Sequence, residues 1–191
     1  MDKDIDQRVK MTRLMLRRGL ISLLEQKPLG DISITELCHH SGINRGTFYA
    51  HYKDIGGLHR SIEEEVFAEI QKTLTAHAVH PAGARSLKEP SIYYTVFDFL
   101  QHSSDFRSLL MNSHAYNPLL QKLLAIGYEI FEAEYRRLHP GPGEDQIRFA
   151  FNFIAAGLLS LLKEWIAGGR KESVDVMAKK TEQLALACIK A

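Results

Sequence analysis

Cysteine is scarce in this chain, where Cys38 and Cys188 are the only two among 191 residues. Two thiols far apart in sequence provide neither a disulfide framework nor the paired ligand spacing of a zinc site. Both lie in apolar helical patterns, where a lone thiol is usually a small core residue. We therefore expect a reducing compartment, no bound metal and no cofactor.

Proline is also scarce, with six residues, and clusters of β-branched residues are few, which favours helices over strands. Long hydrophobic runs are lacking as well. The most apolar run, Phe151 to Leu162, contains Asn152 and Ser160 and is too short to span a bilayer. The first residues lack the apolar stretch of a signal peptide. These absences predict a helical, cytoplasmic protein with no membrane partner.

A large excess of one charge is lacking over the whole chain, whose net charge is +1 at pH 7. The distribution is nevertheless uneven. Residues 1–60 hold ten Lys or Arg against seven Asp or Glu, whereas the remainder holds 14 against 16. A mildly basic first part and a mildly acidic remainder suit a DNA-binding head on a separate body.

Hydrophobic periodicity predicts an all-α fold of about nine helices. The head, residues 1–54, has a first helix over about 7–26, a short second helix that starts at the capping box Ser33–Glu36, and a third over about 45–51 that Asn44 can cap. The body, residues 55–191, starts with a long fourth helix to about residue 76. Its other helices are expected near 91–102, 105–111, 118–138, 144–167 and 173–189.

Two short helices joined by Ser41-Gly42-Ile43-Asn44 predict a helix-turn-helix whose second helix enters the major groove of DNA. That helix and the residues after it are rich in donors suited to phosphates and base edges: Arg45, Thr47, Tyr49, His51, Tyr52 and Lys53. A core helix would not place so many polar side chains on one face. Phe48 is expected in the core instead.

The segment Ile34-Thr35-Glu36-Leu37, followed by Gly42-Ile43-Asn44-Arg45-Gly46-Thr47-Phe48-Tyr49-Ala50-His51-Tyr52-Lys53-Asp54, resembles the DNA-binding signature of the TetR/AcrR family. The resemblance spans roughly residues 8–66 and implies a dimeric transcription regulator. It implies phosphate contacts by Ser33, Thr47, Tyr49 and Lys53, and it places Thr35, Arg45, Gly46 and His51 near the bases. Asn44 and Tyr52 complete the candidate DNA-binding set.

The sequence departs from the family just after Lys53-Asp54. Family members usually carry a lysine and acidic residues there, and this chain has Ile55-Gly56-Gly57. Each glycine costs helix stability, roughly 1 kcal/mol. Because position 55 is an isoleucine and not the usual lysine, we assign no additional phosphate contact to it.

The body resembles a C-terminal type found in some TetR relatives, through Phe106-Arg107-Ser108-Leu109-Leu110, Phe153-Ile154-Ala155-Ala156-Gly157-Leu158 and Lys163-Glu164-Trp165-Ile166. In the family, the last two helices pair with their copies. The eighth predicted helix is apolar on two faces, so it has to be covered twice. The resulting candidates for the dimer interface are Ile154, Gly157, Leu158, Leu161, Trp165, Met177, Leu184 and Cys188.

Aromatic residues on the seventh helix, with two residues just before it, either line a small-molecule pocket or interlock as ordinary core. The candidates are His114, Tyr116, Tyr128, Phe131 and Tyr135. Because none is Lys or Arg, an uncharged or weakly polar effector fits better than a strongly anionic one.

These observations favour a sequence-specific repressor that binds a palindromic operator as a homodimer and is modulated through its body. A rival interpretation is a regulator or activator that a protein partner controls and that has no pocket. A second rival is a helical-bundle enzyme, but the sequence shows no catalytic triad, phosphate loop or cofactor motif.

Overall fold

The computed structural model describes the backbone over residues 2–78, 91–112 and 118–190, and the side chains over 7–75, 91–112 and 118–189. Within these ranges the chain forms nine α-helices and no strand, which confirms the predicted all-α fold. The helices are α1 (Asp2–Leu24), α2 (Ile34–Ser41), α3 (Arg45–His51), α4 (Ile55–Ala78), α5 (Ile92–His102), α6 (Ser104–Met111), α7 (Pro118–Leu138), α8 (Glu144–Ala167) and α9 (Val174–Lys190). A 3-10 turn, Leu29–Asp31, separates α1 from α2.

The helix boundaries follow the local signals in the sequence. The observed bounds of α7 and α8 agree with the predicted ones, and α2 and α3 start directly after the predicted caps. The first helix differs, because it begins at Asp2 and ends at Leu24. It therefore starts earlier than the apolar stripe from which it was predicted.

Two compact units make up the chain. The first consists of Met1–Val66 with Ser104–His114, and the second of Phe67–Ser103 with Ala115–Ala191. The first unit thus extends beyond the boundary predicted at residue 54 and includes α6. Its core is built from fully buried side chains of α1 to α4: Leu16, Leu20, Leu37, Phe48, Leu58 and Ile62.

Polar contacts attach α6 to α1 within the first unit. The Ser108 hydroxyl donates to the carbonyl of Ile21 at 3.3 Å, and Nδ2 of Asn112 donates to the carbonyl of Leu24 at 2.9 Å. Both carbonyls lie in the last turn of α1; that of Ile21 also accepts from the backbone N–H of Glu25 at 3.2 Å. The Arg17 guanidinium adds an ion pair with Asp105 at 2.5 Å.

The second unit packs α5 on α9, and α8 on α7 and α9. Phe97 of α5 is fully buried and meets the ring of Trp165 edge-on at a centroid distance of 5.3 Å. The indole N–H of Trp165 donates to the carbonyl of Glu172 at 3.0 Å. A further cluster joins Tyr135, Ile147 and Ile189, with Tyr128 and Phe131 packed against it.

Candidate nucleic-acid interface

The start of α2 is fixed by the predicted capping box. Oγ of Ser33 accepts from the backbone N–H of Glu36 at 3.1 Å, which satisfies one of the free donors of the first turn. The Glu36 carboxylate pairs with Lys27 at 2.5 Å. Lys27 is the main cause of the lowered pKa of Glu36, and the backbone N–H of Ser33 contributes to it. Ser33 and Thr35 are both exposed, so their hydroxyls are accessible beside a capped helix start.

The turn between α2 and α3 requires a left-handed residue, and glycine provides it. Gly42 has φ 66° and ψ 27°, and its N–H donates back to the last turn of α2. Asn44 then caps α3 through Oδ1, which accepts from the backbone N–H of Thr47 at 2.7 Å. The predicted caps at Ser33 and Asn44 are both confirmed.

The short helix α3 has a buried face and an exposed face. Phe48 is fully buried, as predicted, while the adjacent Tyr49 is 50% exposed. The two rings meet edge-on at 5.5 Å, so the buried phenylalanine supports the exposed tyrosine. Arg45 and Gly46 are exposed at the start of the helix.

The end of α3 leads into the start of α4. His51 and Tyr52 are half-buried, and their ring centroids are 6.4 Å apart. Lys53 is exposed immediately before α4. Oδ1 of Asp54 accepts from the backbone N–H of Gly57 at 2.7 Å, which caps that helix as well.

All the predicted DNA-binding residues therefore lie within the first unit, between the start of α2 and the start of α4. Seven of them are exposed (Ser33, Thr35, Asn44, Arg45, Gly46, Tyr49 and Lys53), and Thr47, His51 and Tyr52 are half-buried. Hydroxyl, guanidinium, imidazole and ammonium groups of this kind bind phosphates and base edges. Over the described side chains, no group of three or more His, Cys, Asp or Glu is arranged to hold a metal ion.

The predicted dimer residues lie on α8 and α9 with different exposures. Gly157, Leu184 and Cys188 are exposed, and Ile154, Leu158, Leu161 and Met177 are half-buried. Trp165 differs from the others, because it is only 4% exposed and packs against Phe97 inside the second unit. Two phenylalanines outside the predicted set are the most exposed of the large hydrophobic side chains described on α8: Phe149 at 78% and Phe153 at 65%. They lie four positions apart, on one side of the helix that was predicted to be apolar on two faces.

Of the predicted ligand-binding residues, His114 and Tyr116 lie outside the described residues. Tyr128 meets Phe151 edge-on at 5.2 Å, and Phe131 lies 5.4 Å from Tyr135. Tyr135 is buried and stacks on His139 at 4.5 Å, where Nε2 of His139 is buried without a hydrogen-bond partner among the described residues. These rings pack against one another and against Phe151 of α8.

An open hollow of about 330 Å³ lies elsewhere, in the first unit. Residues of α1 and α2 line it: Met15, Arg18, Gly19, Ser22, His40 and Ser41. It contains none of the predicted ligand-binding residues.

A family model of TetR regulators, for a transcriptional regulator C-terminal region, matches residues 90–186. Over 75 residues, which make up 39% of this chain, the sequence is 35% identical to the HTH-type transcriptional regulator YxbF of Bacillus subtilis. The chain spans about a fifth of the length of that relative, 20%.

Solved structures with a similar fold cover nearly the whole chain. A TetR transcriptional regulator from Streptococcus agalactiae has a TM-score of 0.66 at 18% identity, covering 97% of this chain and 99% of its own. NalD of Pseudomonas aeruginosa, the secondary repressor of a multidrug efflux pump, has a TM-score of 0.64 at 16% identity, with 95% and 97% covered. FadR of Bacillus subtilis, solved with stearoyl-CoA, has a TM-score of 0.63 at 12% identity, with 90% and 96% covered.

Proposed function

The chain belongs to the TetR family of transcriptional regulators, and we propose that it represses transcription as a homodimer bound to a palindromic operator. As a member it is a DNA-binding regulator and not an enzyme. The observation that supports the proposal most directly is α3, a capped helix of seven residues that buries Phe48 and exposes Arg45 and Tyr49. A helix held this way presents a fixed pattern of donors to a groove.

We assign the contacts by chemistry and position. The residues assigned to phosphates carry hydroxyl or ammonium groups, which suit the DNA backbone: Ser33, Thr47, Tyr49 and Lys53. Thr35, Arg45, Gly46 and His51 approach the bases, with Asn44 and Tyr52 beside them. In a dimer, two such helices would read half-sites roughly 34–36 Å apart.

The test begins with selection of bound duplexes from a random library, which provides the operator. Tyr49→Ala and Lys53→Ala are expected to weaken binding to operator and to unrelated duplex alike, whereas Arg45→Ala relaxes base preference at one position, at a cost of about 1–3 kcal/mol. Arg148→Ala, an exposed arginine of α8 paired with Asp145, serves as the control. Wild-type binding by both Tyr49→Ala and Lys53→Ala would show that α3 is not the recognition helix.

We assign the dimer interface to the exposed apolar side chains of α8 and α9. On α8 and α9 these include Phe149, Phe153, Val176, Leu184 and Leu186, all at least 40% exposed. Large apolar side chains exposed to this degree on neighbouring helices suit an interaction site. By length and composition alone α8 could also cross a membrane, but a second copy is the occupant that the family provides. We accordingly propose that the protein acts in the cytoplasm, where its operator lies.

Leu184→Asp tests this interface, because Leu184 is 60% exposed and the substitution leaves the core of the second unit intact. We expect a folded monomer by analytical ultracentrifugation, with operator binding lost. The matched control is Leu138→Asp. Leu138 is the last residue of α7 and its side chain is 38% exposed, so this variant should remain dimeric. A dimeric Leu184→Asp protein would move the interface to another surface.

We assign effector control to the second unit, around Tyr128, Phe131 and Tyr135, with His114 and Tyr116 as further candidates. The unpaired Nε2 of His139 beside Tyr135 offers one polar group, which suits an uncharged or weakly polar molecule with a hydroxyl or carbonyl. FadR, a neighbour with the same fold, is solved with stearoyl-CoA. An effector acts only through its different affinity for the DNA-bound and free states.

The close packing of the Tyr128, Phe131 and Tyr135 rings favours a second candidate function, a regulator that is controlled by a protein partner. Thermal shift assays with a panel of uncharged apolar compounds distinguish the two. A compound that raises the Tm of wild type but not of Phe131→Trp, which fills the space, supports the pocket. A panel without effect, together with a co-purifying protein that releases the operator, supports the partner.

A further inference from the structure

Electrostatic charge changes sign along the first half of α4. Between residues 53 and 62 the only cations in the sequence are Lys53 and Arg60, and the only carboxylate is Asp54. Three glutamates follow at Glu63-Glu64-Glu65. The start of the helix is therefore its cationic end, and Arg60 is the last positive residue before the acidic stretch.

The Arg60 side chain folds toward that cationic end. A Cβ placed on Gly56 would lie 3.3 Å from Nη1 of Arg60, and one on Gly57 would lie 3.8 Å from Nη2. The guanidinium also lies 4.0 Å from Asp54. It is directed to the start of α4 and not to Glu64, the carboxylate one turn further along, which agrees with the general tilt of helical side chains. The two glycines leave the surface over which it lies free of side chains.

Among the described residues, this guanidinium has Asp54 as its ion-pair partner, so most of its N–H donors remain free. Its side chain is 68% exposed, and its partner Asp54 already accepts the N–H of Gly57 at 2.7 Å. At 4.0 Å the ion pair is at the limit of contact, so it contributes little.

We propose that Arg60 is an additional DNA-backbone contact, which reaches a phosphate from the second turn of α4 across the space left by Gly56 and Gly57. This inference rests on the proposed DNA-binding surface and deepens it. Arginine suits the role because its planar guanidinium can bind a phosphate with two parallel hydrogen bonds.

The salt dependence of DNA binding tests the proposal. Fluorescence anisotropy is measured between 0.05 and 0.3 M salt with two probes, the selected operator and a random duplex of about 30 base pairs. Arg60→Ala should weaken binding to both, on the order of three- to tenfold, and should reduce the salt slope by about one unit. Arg60→Lys retains the charge and should retain most of the slope. Lys72→Ala is the matched control, since it removes a cation from the same helix roughly 18 Å further on.

A second variant tests the role of the glycines. Gly56→Leu places a side chain where the guanidinium lies, so it should reduce the slope as Arg60→Ala does, and the double variant should lose no more than either single one. Additive losses would overturn the role of the glycines. A wild-type slope for Arg60→Ala, with Tyr49→Ala still defective, would overturn the Arg60 contact and leave the DNA-binding surface in place. Wild-type binding by both Arg60→Ala and Tyr49→Ala would refute the DNA-binding surface itself.

Discussion

Replacing Asn44 by alanine removes the hydrogen bond that Oδ1 accepts from the backbone N–H of Thr47 at 2.7 Å. Loss of such a cap costs about 1 kcal/mol, within a range of roughly 0.5–2. With seven residues, α3 is far too short to be helical alone, so the cost falls on the packed first unit. For a unit of this size, about 1 kcal/mol lowers the Tm by roughly 4–8 °C.

The aspartate variant separates stability from DNA binding. Asn44→Asp retains an acceptor at the same position, and its negative charge is favourable at a helix start, so the Tm should equal or exceed that of wild type. The same charge faces DNA phosphates in the proposed complex, so binding should fall, whereas Asn44→Ser should retain both properties. Calorimetry and anisotropy on the three variants provide the measurements. An Asn44→Asp protein as unstable as Asn44→Ala would refute the capping argument, and one that binds DNA like wild type would refute the orientation of α3.

Three further predictions concern stability. Ser41→Ala should raise stability by about 1 kcal/mol, because Oγ of Ser41 is buried without a hydrogen-bond partner in the described part of the chain, and a lower Tm would contradict this. Asn112→Ala should cost about 1–2 kcal/mol, because it leaves the Leu24 carbonyl without its donor; an unchanged urea midpoint would show that water replaces the amide. Burial is the main cause that raises the pKa of Tyr93 to about 12. The protonated phenol therefore contributes its full stability below about pH 10, the pKa of a free tyrosine. This contribution is lost as the pH rises through 12. The free energy of unfolding of Tyr93→Phe should therefore fall less between pH 9 and 11.5 than that of wild type, and an equal fall would count against the burial of this phenol.

Local signals predicted the helix-turn-helix well because its geometry depends on neighbouring residues. Ser33, Gly42 and Asn44 each act within three or four positions of the backbone groups they satisfy. Helix caps and left-handed turns can therefore be predicted from the sequence. Phe48 was assigned to the core because its polar neighbours left it the one large apolar side chain on α3, and it is fully buried.

The position of α6 could not be predicted in the same way. It is joined to α1 by Ser108, Asn112 and Asp105, whose partners lie 87 or 88 residues away in the sequence. Neither hydrophobic periodicity nor helix caps indicate such a distant contact. The sequence therefore predicted α6 as part of the body, residues 55–191. Arg17 illustrates the same limit, since it pairs with both Asp105 and Glu65 and looks in sequence like any exposed basic residue of α1.

Trp165 shows why an apolar stripe does not identify its own partner. It continues the stripe of Leu158 and Leu161, yet its ring is buried against Phe97 and its N–H is satisfied by Glu172. Hydrophobic periodicity predicts which residues share a helix face. It does not predict which other helix packs against that face, because that depends on contacts between residues far apart in the sequence. Exposure therefore separates Trp165 from Leu184 on the neighbouring helix, although both were predicted at the interface.

The proposed recognition helix, α3, has to meet two requirements with the same few residues. A helix of seven residues needs buried area to remain folded, and a DNA-reading helix needs exposed polar side chains. In α3 these demands are divided between adjacent positions, since Phe48 is fully buried and Tyr49, in edge contact with it, is 50% exposed. Asn44 and Gly42 provide the remaining order from outside the helix, through a cap and a left-handed turn. Substitutions at Phe48 should consequently unfold the first unit, whereas those at Tyr49 should leave it folded and weaken DNA binding.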